Sequence, residues 1–308
     1  MRLVFAGTPE VAVPSLRTLA ASGHELISVV TRTDAPQGRR RVLTPSPVAA
    51  AADELGLVVH KASRLDEAVT ARITEEAPDL GVIVAYGGLV REPLLTTPRF
   101  GWINLHFSLL PRWRGAAPVQ RALIAGDRLS GASVFQLVAE LDAGPVFAEE
   151  PYEVPEGATS ADVLAALAER GGPLLTAVVD GIADGSARSI AQTGEPTFAA
   201  KLTLADGALD WTADAAAVLA RLRGVTPEPG AHTTVDGARL KVLAARPFPT
   251  VAGVPLTPGA IAAVGRSVVV GTATDPVELV TVQPAGKPAM AAGDWWRGLR
   301  TDSPVAGS

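Results

Sequence analysis

An asparagine and a histidine stand two apart in Trp102-Ile103-Asn104-Leu105-His106. On an extended strand that spacing projects both side chains from one face, while Ile103, Leu105 and Phe107 pack on the other. An amide that donates hydrogen bonds beside an imidazole that moves a proton suits acyl transfer, where an oxyanion develops and a proton changes hands. Asp142, in the turn Leu141-Asp142-Ala143-Gly144-Pro145, stands where a carboxylate could raise the imidazole's basicity and hold its tautomer. Each of the three also has a plain structural use, as a satisfied polar group at a strand end or as a turn residue. Spacing alone leaves both readings open.

The surrounding chain must supply the strand end. Leu3–Ala6, Leu26–Val30, Leu80–Ala85 and Trp102–Leu105 read as buried strands, with helices between them near Pro9–Ala21, Val48–Leu55, Asp66–Glu76 and Ala116–Ala125. That alternation predicts a Rossmann-like α/β domain with a mostly parallel sheet, in which ligands sit beyond the carboxyl ends of the strands. Two further strands, Gly131–Val138 and Val146–Val154, form a hairpin, and a helix from Ser160 to Asp184 with Thr159 or Ser160 as its cap closes the unit. Periodicity fades from Gly185 to Asp210, and Gly194-Glu195-Pro196 reads as a connector. After a helix over Thr212–Leu222, short strands at His232–Val235, Arg239–Ala244, Ala260–Val264, Ser267–Gly271 and Val277–Val282 suggest a small OB-like β-barrel. The expected division is a catalytic domain over 1–190, a linker over 191–208 and the barrel over 209–308, with Thr301–Ser308 frayed.

Composition narrows the chemistry. With 47% apolar and 19% charged residues in 308, the chain is too apolar for a disordered protein. Zero cysteines exclude a disulfide framework, a thiolate metal site and a cysteine nucleophile, and point to a reducing, cytoplasmic setting. Gly7-Thr8-Pro9 after the first strand is not a G-x-G-x-x-G fingerprint, so a nicotinamide enzyme has little support. The four histidines, His24, His60, His106 and His232, stand far apart, and no metal is expected. His24 and His60 read as structural or solvated. The net charge of −5 is unevenly spread: residues 140–184 hold ten acids against Arg170, leaving +4 on the rest of the chain. An anionic polymer is therefore an admissible partner.

From Asn104 onward the residues Asn-Leu-His-Phe-Ser-Leu-Leu-Pro-Arg-Trp-Arg-Gly-Ala-Ala-Pro-Val-Gln resemble the signature of the 10-formyltetrahydrofolate-dependent formyltransferases, and within them the members that act on initiator methionyl-tRNA. Phe5-Ala6-Gly7-Thr8-Pro9, Thr44-Pro45-Ser46-Pro47-Val48, Ala85-Tyr86-Gly87, Leu141-Asp142-Ala143-Gly144, Lys201-Leu202, Asp210-Trp211 and Gln283-Pro284-Ala285-Gly286-Lys287-Pro288 extend the likeness along the whole chain. Glycinamide ribonucleotide formyltransferases share the Asn, His and Asp pattern over the first domain alone.

The resemblance implies that Asn104, His106 and Asp142 are catalytic. It implies that Ser108, Leu109, Leu110 and Pro111 line the folate site, with Tyr86, Gly87, Gly88 and Leu89 in the pterin pocket. The implied reaction moves a formyl group from 10-formyltetrahydrofolate, a co-substrate, to the α-amine of methionine on initiator tRNA. Asn104 and a protonated His106 would stabilise the oxyanion, and Asp142 would orient the imidazole and help take the amine proton, directly or through water, with no metal required; a monomer without membrane contact is expected. By the same likeness Arg39, Arg40 and Arg41 would meet tRNA, although a solvated loop is the simpler reading of such a run. Arg112 and Arg114 bracket Trp113, which suits either a nucleic-acid contact or packing. Arg221, Arg223, Arg239, Lys241, Arg246 and Arg266 outnumber Glu228 and Asp236 over residues 216–270, an excess of +4 that would attract an RNA backbone. A formyltransferase of amino-sugar nucleotides and an RNA-binding protein on an enzyme scaffold remain the alternatives.

Overall fold

The computed structural model describes residues 1–38, 41–248, 256–299 and 303–307. The chain divides into two compact units, one of Met1–Pro118, Leu129–Glu153 and Leu164–Ala199, the other of Val119–Arg128, Val154–Val163 and Ala200–Ser308.

The first unit is built on β1 (Arg2–Gly7), β2 (Glu25–Thr31), β3 (Ala35–Gln37), β4 (Val42–Thr44), β5 (Val59–Lys61), β6 (Leu80–Val84), β7 (Trp102–His106), β8 (Arg114–Gly115), β9 (Leu129–Gln136), β10 (Val146–Glu153) and β11 (Phe198–Ala199). Among the described residues seven of these form one sheet in the order β10-β9-β7-β6-β1-β2-β5. Strands β7, β6, β1, β2 and β5 run parallel, and the β9–β10 hairpin adds an antiparallel edge. The parallel strands are buried on both faces, which is why Leu3 to Ala6 and Leu80 to Val84 read as unbroken apolar runs. Helices α1 (Val13–Ala20), α2 (Pro47–Glu54) and α3 (Glu67–Glu75) follow the expected pattern, with Ser46 and Asp66 capping α2 and α3. Helix α4 (Pro118–Ile124) precedes β9, and α5 spans Ser160–Asp184 as expected, its first turn tied by reciprocal bonds between Thr159 and Asp162. A Cβ on Gly171 of α5 would lie 2.6 Å from the side chain of Leu105 in β7, so this helix packs directly behind the strand that carries Asn104 and His106.

The second unit contains α6 (Ala215–Gly224), capped by Asp214, then β12 (His232–Val235), β13 (Ala238–Pro247), β14 (Ile261–Val264), β15 (Ser267–Val270), β16 (Val277–Pro284), β17 (Met290–Ala291) and α7 (Ala292–Arg297). The sheet runs β12-β13-β16-β15-β14 with β17 beside β16. Its inner face buries Leu240, Val242, Val268, Val270, Leu279 and Val282 against Trp211, Leu219 and Trp295. Residues 303–307 are not frayed as expected, while Thr301, Asp302 and Ser308 lie outside the described residues. Ala306 bridges to Val235 and Val305 to Ala260, so residues 304–307 join the two edge strands and bring the sheet toward a closed barrel.

Further elements escaped the sequence pattern. Strand β5 is only Val59–Lys61, too short to show a period, and α7 is a single six-residue stretch. The Arg39 segment, expected as a loop, is flanked by the paired strands β3 and β4. No helix among the described residues is long and apolar enough to cross a membrane.

Candidate active site

Strand β7 is held between β6 and β9, with Ile83 beside Asn104 on one flank and Phe135 on the other. Its alternation buries Ile103 and Leu105, while Asn104 and His106 project together near the carboxyl end. His106 is 6% exposed and meets the Phe135 ring edge-on at 6.3 Å. The half-buried Asn104 side chain engages in none of the side-chain hydrogen bonds of the described residues, so its amide is available.

The tautomer of His106 follows from its neighbours. Nε2 lies 2.9 Å from the Trp113 carbonyl, which can only accept, so Nε2 carries the proton. In the neutral ring Nδ1 is then a lone pair, and it faces Asp142 Oδ2 at 3.9 Å, beyond hydrogen-bond reach. Burial holds the imidazole below its ordinary value, against the opposing pull of the Asp142 carboxylate and of the bond to Trp113. The lowered value favours the neutral imidazole at rest, and on taking a proton the ring becomes a cation beside Asp142.

Two residues with positive φ make this geometry. Trp113, at φ 61, turns its carbonyl toward the histidine, and Asp142, at φ 46, lets the 137–145 loop fold its carboxylate back. Asp142 Oδ2 accepts the Gly115 N–H at 2.7 Å, which ties the carboxylate to the end of β8. A Cβ on Gly144 would stand 1.7 Å from the Gln136 carbonyl oxygen, so only glycine lets this turn lie so close to β9. The trio is thus assembled at the carboxyl end of β7, from that strand and the 137–145 loop.

The loop after β7 is equally determined. Ser133, opposite His106 in β9, lies 2.7 Å from the Ser108 carbonyl and accepts the Leu110 N–H at 3.2 Å. Ser108 Oγ donates to the Arg112 carbonyl at 2.6 Å, so its hydroxyl serves the loop. Phe107, Ser108 and Leu110 are buried, and Leu109 and Pro111 are partly exposed. In the loop after β6, Tyr86 is packed in the core, its hydroxyl on the Ala62 carbonyl at 2.7 Å and its pKa pushed up to about 12 by burial and the nearby Asp66. Gly87, at φ 84, and Gly88 turn the chain, and Leu89 is 65% exposed. A cleft of about 510 Å³ opens beside the 137–145 loop, lined by Leu95, Arg99, Phe100, Gln136 and Val138.

The cationic candidates separate. Arg39 and Arg40 lie outside the described residues, and Arg41 stands exposed directly before β4, its N–H on the Gly38 carbonyl at 3.1 Å. Arg112 is exposed, its guanidinium over the Trp113 ring at 5.7 Å. Arg114 does not share that face: it is buried and donates to Gln192 Oε1. In the second unit Arg239 and Lys241 lie on the outer side of β13, whereas Arg246 pairs with Glu278 at 2.6 Å and Arg221 donates to the Asp206 carbonyl. His60 and His24 are structural as read, paired with Glu76 and Asp180. Sequence reasoning missed Arg114, Ser133 and Gln192 as site supports, because none carries a periodic or motif signal of its own.

Comparison with known proteins identifies the family of the chain. Residues 1–179 match the family described as Formyl transferase, and residues 201–300 match Formyl transferase, C-terminal domain. A methionyl-tRNA formyltransferase of Clavibacter sepedonicus is 60% identical over 306 residues, covering 99% of this chain and all of that one. One of Thermobifida fusca is 51% identical over 302 residues, covering 97% of each. Among solved structures, an N-formyltransferase of Helicobacter canadensis in complex with folinic acid and dTDP-3-aminofucose superposes with TM-score 0.70 at 13% identity, over 92% of this chain and 98% of that one. HypX of Aquifex aeolicus in complex with tetrahydrofolic acid gives 0.64 at 18% identity, over 99% of this chain and 50% of that one. The identities of the first two over nearly full length decide the matter, and the chain belongs to the formyl transferase family.

Proposed function

We propose that this enzyme transfers the formyl group of 10-formyltetrahydrofolate to the α-amine of methionine esterified to initiator tRNA. The observation that carries the reading is His106 with Nε2 on the Trp113 carbonyl and Nδ1 directed at Asp142, on the same strand face as an unengaged Asn104 amide. The amine attacks the formyl carbon and a tetrahedral oxyanion forms. Asn104 donates to that oxygen. His106 Nδ1 takes the proton that the attacking nitrogen must lose, directly or through water, and returns it to N10 as the C–N10 bond breaks. Asp142 stabilises the transient imidazolium. One proton passes from the amine to N10, so the step balances without a covalent enzyme intermediate.

The donor's seat is assigned to the loops that flank the trio: Ser108, Leu109, Leu110 and Pro111 on one side, and the backbone of Tyr86, Gly87, Gly88 and Leu89 on the other. Since Tyr86's ring is packed away, main-chain groups and Leu89 carry the recognition there. Arg41, with Val42 and Leu43 exposed beside it, and the outer face of β13 are assigned to tRNA phosphates. Full-length relatives named for methionyl-tRNA support tRNA over an amino-sugar nucleotide as acceptor. The test is incubation with 10-formyltetrahydrofolate and either charged initiator tRNA or an amino-sugar nucleotide. Formyl-methionyl-tRNA should form, with a KM for tRNA that rises steeply with salt. Formylation of the sugar alone, or a KM indifferent to salt, would overturn the assignment.

A further inference from the structure

Between α5 and the second unit, residues 192–199 have the composition of a connector, yet they run along the back of the active-site loop. Thr197 takes the Trp113 N–H on its hydroxyl at 2.9 Å and the Arg114 N–H on its carbonyl at 2.9 Å. Its own N–H donates to the Pro111 carbonyl at 3.3 Å, Ala199 accepts from Ala117 at 3.1 Å, and β11 pairs in parallel with β8. The peptide whose carbonyl fixes the His106 tautomer is thus gripped from behind.

Gln192 reaches the other half of the site. Its Oε1 accepts from Arg114 Nε at 3.1 Å and Nη2 at 2.7 Å, and its Nε2 donates to the carbonyls of Asp142 and Gly144, both at 2.8 Å. A guanidinium only donates and a carbonyl only accepts, so the partners dictate one orientation of the amide and use both of its donors. The turn has little of its own to hold it, since its closing bond, Ala143 N–H to the Glu140 carbonyl, is 3.5 Å long. Arg114 is buried, and its remaining carboxylate partner, Glu140, lies 3.4 Å away with a side chain 77% exposed.

We infer that Gln192 is a positioning residue for formyl transfer: it clamps the Asp142–Gly144 turn to Arg114 and so sets the separation of Asp142 from His106. This rests on the reaction proposed above. Gln192 touches neither reacting group. It acts through Asp142, whose carboxylate must stay beside Nδ1 when the imidazolium forms.

The experiment compares Gln192→Ala and Gln192→Glu with the full-length enzyme. Glutamate keeps the length of the side chain and a stronger acceptor for Arg114, but offers no donor to the two carbonyls, so it separates the clamp from mere packing. In Gln192→Glu we expect kcat to fall about 10- to 100-fold with KM for donor and tRNA within about threefold. The His106 imidazole should titrate lower than in the parent by NMR, because Asp142 no longer raises it. Gln192→Ala should behave likewise with some loss of thermal stability. A Gln192→Glu enzyme with parental kcat and an unmoved His106 titration would overturn the inference, and so would one that fails to fold. If the parent itself forms no formyl-methionyl-tRNA, the proposed reaction fails, and the histidine titration still decides the clamp.

Discussion

Replacing Asp142 by asparagine removes one charge and little else. The amide oxygen can still accept the Gly115 N–H, and the backbone at φ 46 is one that asparagine tolerates. The electrostatic contact it abolishes is the 3.9 Å approach to His106 Nδ1. Two unit charges about 4 Å apart interact by about 1 kcal/mol in water and about 4 kcal/mol at an effective dielectric near 20. The side chains of His106 and Asp142 are 7% and 11% exposed, so the upper part of that range applies. The imidazolium should therefore be destabilised by roughly 2–4 kcal/mol, and single-turnover formyl transfer slowed by roughly 30- to 1,000-fold. A second readout needs no substrate. In the parent His106 titrates below its ordinary value, so as pH falls the unfolded chain binds this proton before the folded one does. Its contribution to stability is present above the unfolded value of about 6.5 and erodes as pH drops toward the folded value. Asp142→Asn lowers the folded value further and widens that window of acid sensitivity. NMR titration of the imidazole and thermal unfolding between about pH 7 and 5 would show it. A folded variant with transfer within about threefold of the parent and an unmoved His106 titration would refute the reasoning.

Asn104→Ala removes the donor assigned to the oxyanion, and kcat should fall about 10²- to 10³-fold with tRNA affinity nearly unchanged; a drop confined to KM would reassign Asn104 to binding. Deleting residues 304–308 removes the bonds Ile261 N–H to Pro304, Ala306 N–H to Gly259 and Gly307 N–H to Thr234 and exposes both sheet edges. At about 1 kcal/mol for each bond the loss is about 3 kcal/mol, read as a lower Tm for the second unit, and an unchanged Tm would show the closure to be inconsequential.

Much of this arrangement is written in the order of residues. The apolar runs at Leu3, Leu26, Leu80 and Trp102 are long enough to declare strands buried on both faces, and the two-residue step from Asn104 to His106 places both on one side of β7 whatever surrounds them. The likeness around Asn104–Gln120 identified the chemistry, because side-chain type and spacing survive in a sequence. What the sequence could not disclose depends on non-local contacts. The titration of His106 moves down on folding because burial outweighs the pull of a carboxylate that arrives from 36 residues away. The closing of the second unit's sheet by Val305 and Ala306, and the role of Gln192, arise from pairings across 45 to 78 residues, which leave no periodic trace. Local pattern determined which elements form and which side chains share a face. Tertiary structure alone decided where the protons sit and what holds Asp142 beside the histidine, since desolvation and loop anchoring exist only once distant segments meet.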